Sequence, residues 1–243
     1  MRPVLFRLGK VDVHSYPAFQ YIGLTLGVLA GNVLARVTGL DEFRVFVATI
    51  LLLFPALAGA RLLYLAIHWK YYRENSRPIW NTREGGAAQY GGILVAVPLS
   101  IPLLAILDIP FGAFWDVAGV TIMVGMVFTR IGCFLNGCCA GRESDSWLSL
   151  YLPNIRGEWK NRVPTQLLES GWAAMLLVTG LIFRKSLPFA GALFIYIAAG
   201  YALGRLVMES MRDLRAARFT VHHAISVLII ALSLAALTAR GPH

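Results

Sequence analysis

Long uncharged apolar runs, separated by short clusters of charge, set the pattern of this chain. Residues 13–35 hold no Asp, Glu, Lys or Arg. Residues 45–69 are broken only by Arg61, and 85–107 are uncharged. Residues 109–141 are interrupted by Asp116 and Arg130, and 163–183 only by Glu169. Residues 186–204 are uncharged and run on through Arg205 to Ser210; 219–239 carry His222 and His223 but no formal charge. A helix needs ~20 apolar residues to cross the hydrocarbon core. The runs therefore predict an all-α, polytopic membrane protein of seven transmembrane helices. An odd number puts the two ends on opposite faces. Little mass is left outside the spans, and no linker or internal repeat is visible, so residues 1–243 read as a single transmembrane domain.

The polar connections carry aromatic residues among basic ones. The connection 142–162 has Trp147, Tyr151 and Trp159; the connection 70–84 has Tyr71, Tyr72 and Trp80. Both suit segments lying in the membrane interface. Arg2, Arg7, Lys10 and Asp12 interrupt the first thirteen residues, so no cleavable leader is expected there. On one face gather Arg2, Arg7, Lys10, Lys70, Arg73, Arg77, Arg83, Arg142, Arg156, Lys160, Arg162, Arg212, Arg215 and Arg218. The other face has only Arg36, Arg44, Arg184, Lys185 and Arg240. By the positive-inside rule the amino terminus would be cytoplasmic.

Composition agrees with the pattern. The chain is 57% hydrophobic and 14% charged, with a mean hydropathy of +0.64. A soluble domain has about 45–50% apolar and about 25% charged residues. Disorder, collagen and coiled coil are excluded by the same content. The net charge of +9 sits at the ends of apolar runs, where anionic lipid is its natural counter-charge. A basic run with interleaved aromatics in a soluble segment is missing, so no nucleic-acid partner is expected.

Ionisable groups inside spans are costly and mark function by default. Arg61, Arg130 and Arg205 lie deep, with Glu169 and Glu209 as companions. In GYALGRLVMESMRD, residues 200–213, Tyr201, Arg205 and Glu209 share one helical stripe. It reads either as a structural Arg–Glu pair or as a polar stripe facing a lipid headgroup. In TRIGCFLNGCCAGR, residues 129–142, three glycines accompany Arg130 and Asn136. They read either as packing glycines or as backbone opened for close ligand approach. GGAAQYGG, residues 85–92, presents Tyr90 at a span entry. Cys133, Cys138 and Cys139 are the only cysteines. They form no disulfide framework. Zinc sites usually add a second ligand pair to a C-x2–4-C pair; His222 and His223 would supply one only by tertiary accident, and no metal is expected. Buried inert thiols and a covalent nucleophile at Cys138 or Cys139 are the readings left open.

Together these stretches resemble the prolipoprotein diacylglyceryl transferase family, over nearly the whole chain. PVLFRLGKVDVHSY is similar to the family's opening, with Tyr16 on an active-site tyrosine. GARLLY, with Arg61, resembles the second-span GGR segment. TRIGCFLNGCCAGR resembles GRxGNFxNGExxGR. PTQLLES, with Gln166 and Glu169, resembles PSQLYE, and GYALGRLVMESMRD resembles YxxxRxxxExxR. The resemblance implies a lipid-accessible central cavity among the helices. It implies transfer of the diacylglyceryl group of phosphatidylglycerol to the lipobox cysteine of a prolipoprotein signal peptide, with release of glycerol phosphate. No cofactor is implied. Arg130 and Arg205 fall on the family's two essential arginines; Asn136, Gly141, Tyr201 and Glu209 fall on further site positions.

The residues suit that chemistry. An arginine pair can hold a phosphate ester by charge-assisted bonds, and in a water-poor cavity such donors stabilise a departing anion. Glu209 could orient Arg205 or take a proton. The departures are local. Tyr90 stands where the family's GGxxxHGG stretch has histidine, and tyrosine, with an ordinary pKa near ~10, is a poor base. Cys133 replaces the signature's GN asparagine and Cys138 its NGE glutamate. The family implies catalysis by Arg130, Arg205, Glu209 and Tyr90. It implies substrate contacts from Tyr16, Arg61, Asn136, Gly141 and Tyr201. It also implies a bacterial cytoplasmic membrane location with the active site and amino terminus outside, against the charge asymmetry. The competing reading is an anionic-lipid-binding or transport protein without chemistry.

Overall fold

The computed structural model describes residues 1–9, 11–69, 72–73, 89–153, 157–212 and 221–239. Among the described residues seven helices carry the apolar runs: α1 (Ser15–Val37), α2 (Glu42–Ile67), α3 (Gln89–Ile106), α4 (Phe111–Asn136), α5 (Thr165–Phe183), α6 (Ala192–Ser210) and α7 (Val221–Ala239). Each falls within or across a predicted span. Five helical segments, Ser15–Val37, Glu42–Ile67, Phe111–Asn136, Thr165–Ser186 and Ala192–Ser210, are long and apolar enough to cross a bilayer. The other two, α3 and α7, are shorter apolar helices among the described residues. Large apolar side chains such as Tyr21, Phe43, Phe54, Ile182 and Leu232 stand exposed, as expected of helices whose solvent is lipid rather than water.

Among the described residues two antiparallel ribbons accompany the helices, one before α1 and one between α4 and α5, and the hydrophobic pattern did not announce either. β1 (Val4–Leu8) pairs with β2 (Val11–His14), and β3 (Leu150–Pro153) pairs with β4 (Trp159–Arg162). The second ribbon forms within the aromatic connection 142–162, stacking Tyr151 against Trp159 at 5.6 Å between ring centres. The other aromatic connection, 70–84, lies almost wholly outside the described residues.

The chain divides into two compact units, Met1–Leu34 with Trp115–His243, and Ala35–Phe114. In the first unit, α1 and α4 meet backbone to backbone. A Cβ added at Gly23 would stand 2.9 Å from the carbonyl oxygen of Gly125, and one at Gly27 would stand 2.5 Å from that of Thr121. Gly31 faces the Thr121 hydroxyl in the same way. Glycines four residues apart make a smooth stripe, and close approach substitutes for the hydrophobic drive that lipid removes. Asp116 closes the next junction. Its carboxylate accepts the backbone N–H of Gly191 at 2.8 Å and of Phe194 at 2.9 Å, capping the start of α6 from the flank of α4. One of the two charges that interrupt the fourth span is thus a helix cap.

In the second unit, α2 packs on α3 through Gly59, Gly91 and Gly92. A Cβ at Gly59 would lie 2.6 Å from the Gly91 carbonyl oxygen. Pro55 in α2 and Pro98 and Pro102 in α3 sit inside their helices. Membrane helices tolerate them where neighbouring groups re-satisfy the freed backbone. An apolar hollow lined by Ile101, Leu104, Ala105, Ile109 and Phe111 belongs to this unit.

Candidate active site

The polar residues of α5 and α6 are segregated along each helix. The buried face of α5 runs Thr165, Gln166, Glu169, Ser170 and then turns apolar through Ala173, Leu176 and Gly180. That of α6 runs the other way, apolar from Ala192 to Ile197, then Tyr201, Arg205, Met208 and Glu209. The helices are antiparallel neighbours, so the start of one and the end of the other bring their polar halves together. Trp172 fixes the register. Its indole N–H donates to the Gly200 carbonyl at 2.9 Å, over the space that Gly204 leaves for the ring.

Glu169 is the hub. One carboxylate oxygen lies 2.5 Å from Nη2 of Arg130 on α4; the other accepts from Nη1 of Arg205 on α6 at 2.7 Å. Arg205 turns its second nitrogen to Glu209 at 2.7 Å, and Glu209 faces Arg212 at 3.6 Å. The result is a continuous chain, Arg130–Glu169–Arg205–Glu209–Arg212, of three cations and two anions. Both carboxylates are almost fully buried, at 3% and 2% exposure, and Arg205 is at 7%. Buried charges persist only when paired and hydrogen-bonded, and the alternation supplies the pairing. Nε of Arg130 is buried without a hydrogen-bond partner among the described residues, and the Glu169 oxygen facing Arg130 meets it as an ion pair only. Tyr201 lies within electrostatic reach of both Arg130 and Arg205.

The turn after α4 builds the adjoining wall. Gly137 and Cys139 both take positive φ, +75° and +62°, which folds the chain back on the helix end. The first turn of α5 holds that bend. Thr165 donates its hydroxyl to the Cys139 carbonyl at 2.8 Å, and Gln166 donates its amide to the Cys138 carbonyl at 2.6 Å. Gly141 then threads between two other segments. Its N–H donates to Val163 at 2.9 Å, the Arg142 N–H donates to Met211 at 2.8 Å, and a Cβ at Gly141 would come within 2.8 Å of both carbonyl oxygens. The bend and the amino-terminal segment are adjacent too. Arg2 donates its N–H to the Leu135 carbonyl at 2.9 Å, and Gly132 receives the flank of Phe19. Tyr16 thereby comes within electrostatic reach of Arg130 and the cysteines, and the Asn136 side chain sits beside the Cys138 thiol.

The three thiols face one another. Hydrogen bonding with Cys133 draws the Cys138 thiol down, but Cys139 and burial outweigh it and push it up to about 11. Hydrogen bonds from Cys133 and Cys138 hold the Cys139 thiol well below its ordinary range, and the charges of Arg212 and Arg130 add to the effect.

Of the residues singled out from sequence, Tyr16, Arg130, Asn136, Gly141, Tyr201, Arg205 and Glu209 all lie in the first unit. Arg61 and Tyr90 belong to the second. There Arg61 is buried on α2, 3.3 Å from the Tyr72 hydroxyl and over the rings of Tyr64 and Tyr72, and Tyr90 is buried in α3. Glu169 was legible as an intramembrane carboxylate and Arg212 as one of the cations at the span ends, but neither was among the expected site residues. The signal for Glu169 was available, since a carboxylate buried in a span requires a cation.

Multi-pass helices enclosing a buried arginine–glutamate network define a class of integral membrane protein with a charged centre at a helix junction. The family model described as prolipoprotein diacylglyceryl transferase matches residues 3–239, and the chain belongs to that family. Among curated relatives, the phosphatidylglycerol–prolipoprotein diacylglyceryl transferase of Clostridium botulinum strain Hall is 32% identical over 96% of this chain and 95% of its own length. The proteins of the same name from Bacillus velezensis and Bacillus cytotoxicus are 30% and 31% identical, over 96% and 94% of this chain and 90% of each relative.

Proposed function

We propose that this chain transfers the diacylglyceryl group of phosphatidylglycerol to the lipobox cysteine of a prolipoprotein signal peptide, at the outer face of a bacterial cytoplasmic membrane. The observation that carries the reading is the Arg130–Glu169–Arg205 triad with an uncommitted donor on Arg130. The five-residue chain has a formal charge of about +1, which matches the single negative charge of a phosphodiester headgroup. In the reaction the acceptor sulfur attacks the glyceryl carbon that bears the phosphate. A C–S bond forms, the C–O bond breaks, the electron pair leaves with glycerol phosphate, and the thiol proton goes to that departing phosphate, whose second ionisation lies at ~6. Negative charge on the phosphate rises as that bond breaks, so guanidinium groups held beside it favour the transition state over the ground state.

Glu169 keeps two mutually repelling arginines side by side and sets their spacing. Glu209 is committed to Arg205 and Arg212, so it serves to orient Arg205 rather than to accept the thiol proton. Tyr16, Asn136, Gly141 and Tyr201 border the same centre and are assigned to substrate contact. Arg61 and Tyr90 are assigned by their place in the family motifs, Tyr90 as a hydrogen-bonding group that orients substrate.

The test is a lipidation assay. Purified full-length protein in detergent, phosphatidylglycerol and a lipobox peptide should yield the diacylglyceryl peptide and glycerol phosphate in equal amounts, both read by mass. Arg130→Ala and Arg205→Ala should each abolish turnover. Phosphatidylglycerol bound with both lipid and peptide intact, across several peptides, would replace this reading with that of a lipid-binding or transport protein.

A further inference from the structure

We propose that Cys133, Cys138 and Cys139 form a three-sulfur site for one thiophilic d10 cation, with three-coordinate Cu(I) as the best fit. Ligand spacing along the chain argues against a metal, because the Cys133–Cys138 pair has no second pair of ligands near it in sequence. Folding changes the picture. Cys133 sits in the last turn of α4, and the positive φ values at Gly137 and Cys139 return the chain toward it. All three sulfurs then lie within 4.8 Å of one another. Three thiolates bound to one d10 ion at ~2.3 Å stand about 4 Å apart in a trigonal plane. Closing that difference needs side-chain adjustment only, while Thr165 and Gln166 keep the backbone of the bend fixed.

Donor chemistry and charge point the same way. Soft thiolates select Cu(I) and Zn(II) over hard cations. The cluster offers three ligands among the described residues, enough for Cu(I) but one short of the tetrahedron Zn(II) takes in closed sites. Three thiolates with one Cu(I) leave a charge of −2, and Arg130 and Arg212 both act on this cluster. Cys133 is buried, Cys138 half-buried and Cys139 exposed, so an ion can enter from the Cys139 side and finish in a site whose far wall is dry. The cluster adjoins the Arg130 centre, so its test reads metal rather than turnover.

The experiment uses the full chain in detergent, purified with reductant and desalted without oxygen. Cu(I) is titrated against a chromophoric Cu(I) competitor, and Zn(II) is titrated separately. One Cu(I) per chain should bind, with thiolate-to-copper absorption in the near ultraviolet and all three thiols shielded from iodoacetamide. Cys138→Ser and Cys139→Ser should each weaken binding on the order of 100-fold or more, since loss of even an outer-shell partner costs about 10–100-fold. Cys133→Ser should do the same; if burial makes it misfold, the exposed Cys139→Ser carries the test. The assignment is overturned by copper binding unchanged in the triple Ser variant, by Zn(II) binding tighter than Cu(I), by no binding above the competitor, or by a disulfide in the freshly purified protein.

Discussion

Glu169 neutralises two guanidinium groups that would otherwise repel one another in a dry site. Glu169→Gln keeps the shape and removes the charge. Breaking one partner from a buried ionic network costs about 3–5 kcal/mol, so a clearly lowered unfolding midpoint in detergent is expected, together with loss of transfer. A variant that melts like the parent would show that the triad does not hold the helices together. Arg130→Lys keeps a cation but loses the forked donors. It should retain folding and lose roughly ten- to a hundredfold in turnover, in line with the ~1.5–3 kcal/mol of a charged hydrogen bond. At the thiols, Cys139 is exposed and held below its ordinary range, while Cys138 is pushed up to about 11. In metal-free protein at pH 7.5, iodoacetamide should therefore modify Cys139 first, as peptide mass mapping over time would show; equal rates would contradict it. Arg130, Arg205 and Glu209 were legible as intramembrane charges. Glu169 became the hub only because α5 and α6 run antiparallel, which no single stretch of sequence displays.

The helices of the first unit are joined by features that composition treats as neutral. Gly23, Gly27 and Gly31 give α1 a face on which α4 can lie at backbone distance. Gly27→Val would drive methyl groups into the Thr121 carbonyl, and overpacking of this kind costs about 1–3 kcal/mol. A reduced folded fraction on size exclusion is expected. Gly171 is the control. It lies in α5 with open space around it, so Gly171→Ala should leave stability unchanged or raise it by about 0.5–1 kcal/mol. Asp116→Ala removes the acceptor of two backbone N–H groups at the start of α6. A loss of about 1–2 kcal/mol follows from cap deletion, read as a lower melting temperature. The four-residue glycine spacing was present in the string all along. What it would pack against was not, because the partner lies about ninety residues away.

For the whole molecule, two physical signals disagree about direction. The excess of arginine and lysine at one set of span ends argues for a cytoplasmic amino terminus, whereas the function proposed above, at the outer face, calls for one outside. Part of that excess has another occupation. Arg212 is tied to Glu209, and Arg162 is fully buried beside Glu143, so neither acts as a free topological signal. Reporters fused to each end should place the amino terminus outside and the carboxyl terminus in the cytoplasm. Both ends on one face would mean that one of the apolar helices, α3 or α7 foremost, does not cross.

The amino-acid string alone determined the solvent, the helical class and the identity of the costly residues, because hydrocarbon admits long uncharged helices and penalises each interruption. It also carried the family, through ordered motifs spread over nearly the whole chain. Tertiary structure decided which interruptions belong together. Asp116 became a cap, Glu169 a bridge between two arginines, and three cysteines without a second ligand pair in the sequence became a cluster. Pairing between buried charges, and the gathering of sulfurs around a bend, depend on distances across helices, and only packing sets those.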